Sequence, residues 1–145
     1  MSKKKVLVIS GPNLNLLGRR EKNIYGEISL KEIHLKMEDV SINKNLLVEC
    51  KQSNSESEII DFIQNAQNEY DGIIINAGGY THTSVAIRDA LKYFTGYIVE
   101  IHMSNIHARE EFRKTSMISG VSDGLIIGFG PDSYFLALKA MKSKL

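Results

Sequence analysis

Residues 11–26 read GPNLNLLGRREKNIYG and directly follow the apolar run Val6–Ile9. A glycine-bounded loop after a first strand often cradles a phosphate, but this one carries two asparagines, two arginines and a tyrosine. A phenol titrates near pH 10, so an unassisted tyrosine is a poor base at neutrality. A neighbouring guanidinium favours the phenolate, and Arg19 and Arg20 stand a few residues before Tyr25. These residue types suit abstraction of a proton by a tyrosinate. Taken singly they have plainer readings: Tyr25 as a half-buried aromatic pinning a loop, Arg19 as a solvated neighbour, Asn13 as a turn residue.

A second group of reactive residue types follows the later apolar runs. His102 stands at the end of the run Tyr97–Ile101, two residues after Glu100. An isolated histidine there reads first as a satisfied core residue, although its ordinary pKa suits proton donation near neutrality. Met103 and Ser104 precede a segment, Ile106–Arg113, whose pattern predicts a helix start. Backbone N–H groups at such a start bind anions, and a serine N-cap is compatible with that role. Asn76, His82 and Arg113 read singly as a strand-end turn, a helix-start histidine and an exposed helical charge. Asp89 lies seven residues beyond His82, roughly 10 Å along a helix at about 1.5 Å per residue. A small substrate would not bridge both from within one subunit.

The elements that must position these residues are legible. Short, largely Val/Ile/Leu runs predict strands at Val6–Ser10, Leu46–Cys50, Gly72–Asn76, Tyr97–Ile101 and Gly124–Gly128. They are apolar on both alternations, as strands covered on both faces are. Amphipathic stretches between them predict helices at Ser29–Ile42, Glu56–Tyr70, Ser84–Phe94, Ala108–Met117 and Pro131–Lys142, with Pro131 as a first helical residue. Five β-α units imply an α/β fold: a flavodoxin-like three-layer sandwich with a parallel sheet in the order 2-1-3-4-5. Right-handed crossovers bring the loops after strands 1, 3 and 4 to one crevice, and the reactive residue types lie in those loops.

The chain has 145 residues, 43% of them hydrophobic and 24% charged, with a formal net charge of +1. This bounds it to one domain, residues 1–145, and gives no electrostatic case for nucleic acid or a membrane surface. No apolar run approaches a membrane span, and the basic start MSKKK leads into a single strand rather than a signal peptide. The single cysteine, Cys50, excludes an intramolecular disulfide and fits a cytoplasmic location.

In register, GPNLNLLGRREKNIYG, INAGGYTHTSVAIRDAL and VEIHMSNIHAREEFRKTS resemble the type II 3-dehydroquinate dehydratases, over Val6 to about Ser116. The departures are Lys22 and Ala77 where prolines are usual, and Gly79 for an alanine; the last two are expected to loosen the loop after strand 3 but remove no chemical group. The resemblance implies trans-dehydration of 3-dehydroquinate to 3-dehydroshikimate through an enolate, with neither cofactor nor metal, in the shikimate or quinate pathway. Such a reaction needs a base for the α-proton, stabilisation of the enolate and an acid for the departing hydroxyl. By resemblance Tyr25 is the base, Arg20 its activating partner, and Asn13 the holder of a water against the enolate oxygen. His102 is the acid, with Glu100 orienting its ring. Met103 and Ser104 hold the substrate carboxylate, and Asn76, His82 and Arg113 bind its hydroxyls and ring. Asp89 reaches a neighbouring subunit's site, which implies an obligate homo-oligomer, typically a dodecamer of trimers. Gly18 and Gly26 near the ends of Leu17–Glu27 suggest a lid that closes over the ligand.

Two other function classes are weaker. A metal hydrolase would draw on His82, Asp89, His102 and His107, but these form no recognised ligand spacing. A flavin or nucleotide module would rest on fold analogy alone, because GPNLNLLG is neither a P-loop nor a dinucleotide fingerprint. A regulatory domain of this fold would need no Tyr25–His102 pair.

Overall fold

The computed structural model describes residues 3–19 and 28–145. Its strands are β1 (Lys4–Ser10), β2 (Leu46–Gln52), β3 (Gly72–Asn76), β4 (Tyr97–His102) and β5 (Gly124–Ile127). All pair in parallel, in the order β2-β1-β3-β4-β5. The helices are α1 (Leu30–Asn43), α2 (Glu56–Ala66), α3 (Val85–Tyr93) and α4 (Asp132–Lys144). This is the flavodoxin-like arrangement that the alternating pattern predicts.

The two-residue period of a strand divides the core. Val6, Val8, Ile74, Val99 and Ile101 face α1 and α4, where Ile33, Met37, Tyr134, Leu138 and Met141 are buried. Leu7, Ile9, Ile73, Ile75 and Ile98 face α2 and α3, meeting Ile59, Ile63, Ile87 and Leu91. A fully buried aliphatic side chain contributes about 1.5–3 kcal/mol, so packing on both faces anchors the helices to the sheet.

Serines begin three of the helices. Ser29, Ser55 and Ser84 each accept a hydrogen bond from the backbone N–H three residues on, at Glu32, Glu58 and Ile87, satisfying one of the unpaired donors of a first turn. Ser29 also donates to the Glu32 carboxylate at 3.1 Å. Pro131 precedes the first residue of α4 by one position.

Two predicted helices differ. α2 ends at Ala66 rather than Tyr70, because the chain turns through Asn68 at φ 70°; asparagine tolerates that left-handed conformation. No α-helix forms over Ala108–Met117. That segment holds one-turn 3-10 elements at Ile106–Ala108 and Glu111–Lys114, and another follows at Ser119–Val121. Its large apolar residue, Phe112, is 62% exposed. Without an apolar stripe to bury, a helix here gains little from packing.

Candidate active site

The carboxyl ends of β1, β3 and β4 open into one crevice, as the strand order requires. Two close backbone approaches build its floor. A Cβ at Gly11 would stand 2.5 Å from the Ala77 carbonyl oxygen, and Gly78, at φ 60°, packs on the Pro12 carbonyl. Only glycine allows the loops after β1 and β3 to touch this way. The cavity measures about 170 Å³ and is lined by Pro12, Asn13, Leu14, Asn76, Gly78, Gly79, His82, His102, Ser104, Ile106, Arg109 and Arg113.

Asn13 sits at φ 70°, in the left-handed region, and its N–H donates to the Asn54 side chain at 3.0 Å. It is both a turn residue and a lining residue. Asn76 ends β3 with its amide anchored at both atoms: Oδ1 accepts from the Gly78 N–H at 3.2 Å, and Nδ2 donates to the Tyr134 hydroxyl at 3.3 Å.

His82 closes a 3-10 turn, Gly78–His82, and its Nδ1 donates to the Thr115 carbonyl oxygen at 2.8 Å. A carbonyl only accepts, so in the neutral ring the proton sits on Nδ1 and Nε2 is left as an acceptor. Burial pushes its pKa below the ordinary imidazole value; the Thr115 contact opposes this, while the His102 and Arg113 charges add to it.

His102 ends β4, 5% exposed, and its Nε2 lies 2.5 Å from Oε2 of the fully buried Glu100. Burial alone would raise the Glu100 pKa. Hydrogen bonds from His102, Ser119 and Ser116 outweigh it and hold the carboxyl below its usual range. The His102 carbonyl accepts from the Gly128 N–H at 3.0 Å and from Ser133 Oγ at 3.3 Å, which fixes the backbone under the ring.

Ser104 and Arg113 line the same cavity. Ser104 Oγ accepts from Arg109 Nη1 at 3.2 Å, and Arg113 Nε donates to Glu110 at 2.8 Å. Met103 is different: its side chain belongs to the core beside α4, and its carbonyl accepts from the Gly130 N–H at 2.8 Å. The helix start expected behind Met103 and Ser104 does not form. The segment from Ile106 is a single 3-10 turn, capped by Asn105, whose side chain accepts from the His107 N–H. The positive character of this wall therefore comes from the Arg109 and Arg113 guanidinium groups and not from an α-helix dipole.

Asp89 lies outside the crevice. It borders a separate depression between α2 and α3 with Ile60, Gln64, Asn65 and Tyr93. Arg20, Tyr25, Lys22 and most of the expected lid, Leu17–Glu27, lie outside the described residues. Among the described residues, no group of three or more His, Cys, Asp or Glu side chains converges as a metal site, and no helix is long and apolar enough to cross a membrane.

The sequence reading missed Arg109, although it begins the REEFR stretch and stands four residues before Arg113, and it missed Ser116 and Ser119. A larger cavity, about 430 Å³, lies beside α1 and includes His34 and Cys50. Burial pushes the His34 imidazole down to about 4 and the Cys50 thiol up. Both are therefore neutral near pH 7.

Residues 4–142 match the family described as dehydroquinase class II. The chain is 54% identical over 137 residues to the 3-dehydroquinate dehydratase of a Nitratiruptor species, covering 94% of this chain and 88% of that one. It is 50% identical over 139 residues to that of Caldanaerobacter subterraneus subsp. tengcongensis, covering 96% and 94%. The crystal structure of type II dehydroquinase from Butyrivibrio crossotus superposes with a TM-score of 0.95 at 47% identity, covering 99% of each chain.

Proposed function

The chain belongs to the class II dehydroquinase family, and on that premise we propose that it dehydrates 3-dehydroquinate to 3-dehydroshikimate. The observation that carries the reading is the convergence of Asn13, Asn76, His82, His102, Ser104 and Arg113 on one cavity from three separate loops.

In this reading Tyr25, activated by Arg20, takes the α-proton and leaves an enolate. Asn13 holds a water against the enolate oxygen, which stabilises the developing charge. The C–O bond to the β-hydroxyl then breaks, His102 delivers a proton to the departing oxygen, and a conjugated enone and water result. Glu100 supports this by holding the His102 ring in place through Nε2. The Nε2 acceptor of His82 suits a substrate hydroxyl, and Arg109 and Arg113 make this side of the cavity favourable for the substrate's carboxylate. Ser104 and the Met103 backbone sit beside it, and Asn76 presents its anchored amide.

Asp89, turned away from its own crevice, serves the site of a neighbouring copy, so the working enzyme is a homo-oligomer, a dodecamer of trimers. The single domain acts without metal or cofactor, in the cytoplasm, in aromatic biosynthesis or quinate breakdown. The test is to add 3-dehydroquinate to purified, chelator-treated protein and follow the enone by ultraviolet absorbance. Turnover is expected; its absence from folded oligomer would reject the reading.

A further inference from the structure

Thr115–Ser119, between the crevice and β5, contacts His82 directly and the carboxylate partner of His102. Thr115 holds His82 through its carbonyl. Below His102, Ser119 Oγ donates to Glu100 Oε1 at 2.5 Å, and Ser116 Oγ donates to Oε2 at 2.9 Å, the oxygen that also meets His102. The segment is itself fixed from two sides. Its Met117 N–H donates to the Thr81 carbonyl at 2.7 Å, and the Met117 carbonyl accepts from Arg88 Nη1 of α3 at 2.8 Å. Ser116 Oγ also accepts from the N–H groups of Ile118 and Ser119, which closes the turn around the carboxylate.

We infer that Ser116 and Ser119 are positioning residues, whose hydroxyls hold the Glu100 carboxylate in the orientation that presents the His102 ring to the crevice. A fully buried carboxylate needs donors for its remaining lone pairs, because an imidazole N–H satisfies only one of them. The strand neighbours of Glu100 are Ile75 and Leu125, neither of which titrates. Among the described residues, the charged or titratable groups around the pair are His102 itself, His82 with its ring centroid 6.3 Å from that of His102, Arg109 and Arg113 on the crevice wall, and Arg88 behind the clamp. With Ser119 truncated, one carboxylate oxygen loses its donor and the ionised form becomes harder to keep. The catalytic consequence rests on the reading of His102 as the acid.

Ser119→Ala is the cleaner variant, because Ser116 also closes the turn; Ser119→Thr restores a hydroxyl. Two measurements are made on the full oligomer: kcat for 3-dehydroquinate against pH, and the titration of the 13C-labelled Glu100 carboxyl, identified through Glu100→Gln. In Ser119→Ala the Glu100 titration is expected to move to higher pH and kcat to fall severalfold, because the carboxylate that orients His102 loses a donor. Ser119→Thr is expected to reverse both. An unmoved Glu100 titration in folded Ser119→Ala, or a kcat equal to that of the parent, would overturn the inference. Absence of turnover in the parent protein would reject the dehydratase reading, and the carboxyl titration would still decide the role of Ser119.

Discussion

The rings of His82 and His102 lie nearly parallel, their centroids 6.3 Å apart and their planes inclined by 24°. They are held by different chemistry: His82 by a neutral carbonyl at Thr115, His102 by the Glu100 carboxylate. A carbonyl only accepts, so it fixes the His82 tautomer and leaves Nε2 as an acceptor, whereas the partner of His102 is a carboxylate kept ionised by its own hydroxyl donors. In the proposed mechanism the first ring accepts a hydrogen bond and the second gives up a proton. His82→Gln should raise KM severalfold while the pH profile of kcat keeps its shape, measured over roughly pH 5 to 9, where an imidazole titrates. A profile displaced as far as that of a Glu100 variant would show that His82 carries a proton of the reaction.

Tyr25→Phe should keep the ring and lose the ionisable oxygen. General-base catalysis typically contributes roughly 100- to 10,000-fold, so kcat should fall within that range while circular dichroism stays unchanged. Near-normal turnover would assign the α-proton to another group.

Tyr134 is fully buried, with its hydroxyl 2.9 Å from Ser10 Oγ and 3.3 Å from Asn76 Nδ2; burial pushes its pKa up to about 12. It remains a neutral phenol that ties α4 to the end of β3. Tyr134→Phe should cost about 1–2 kcal/mol in urea unfolding, as loss of a buried hydrogen-bonded hydroxyl does, and should raise KM by releasing one anchor of Asn76. Normal stability with normal KM would show that the Gly78 contact alone holds that amide.

His34 supplies a pH prediction for stability. Its folded-state pKa of about 4 lies below the ordinary 6.5, so the unfolded chain binds the proton first as pH falls. Between those values the unfolded state carries more protons, and stability declines with falling pH by up to roughly 3 kcal/mol from this group. Urea unfolding at about pH 7 and about pH 4.5, on either side of most of that window, should show a smaller difference in His34→Leu than in the parent chain. An equal difference would assign the acid sensitivity elsewhere.

The sheet order and the sharing of the crevice by three loops were legible because strand runs such as Ile73–Ile75 are apolar on both alternations, and parallel crossovers leave few alternatives. The Ala108–Met117 segment was not. Its Glu110–Arg113 pair sits at helical spacing, yet Phe112 faces outward and the polar side chains serve the crevice instead. Ser116 and Ser119 were hidden for a related reason. A serine is common on any surface, and only the fold reveals a buried carboxylate beneath it. The spacing estimate for Asp89 assumed one helix running through His82, whereas His82 ends a 3-10 turn before α3 and only Asp89 lies on that helix.

The most direct test of the separate base and acid is the His102→Ala variant, incubated with 3-dehydroquinate in deuterium oxide. Proton NMR would follow α-proton exchange and product formation in the same sample. Exchange is expected to continue, because Tyr25 still takes the proton, while enone formation falls by roughly 100-fold or more. Enone formation at the parent rate would contradict the account.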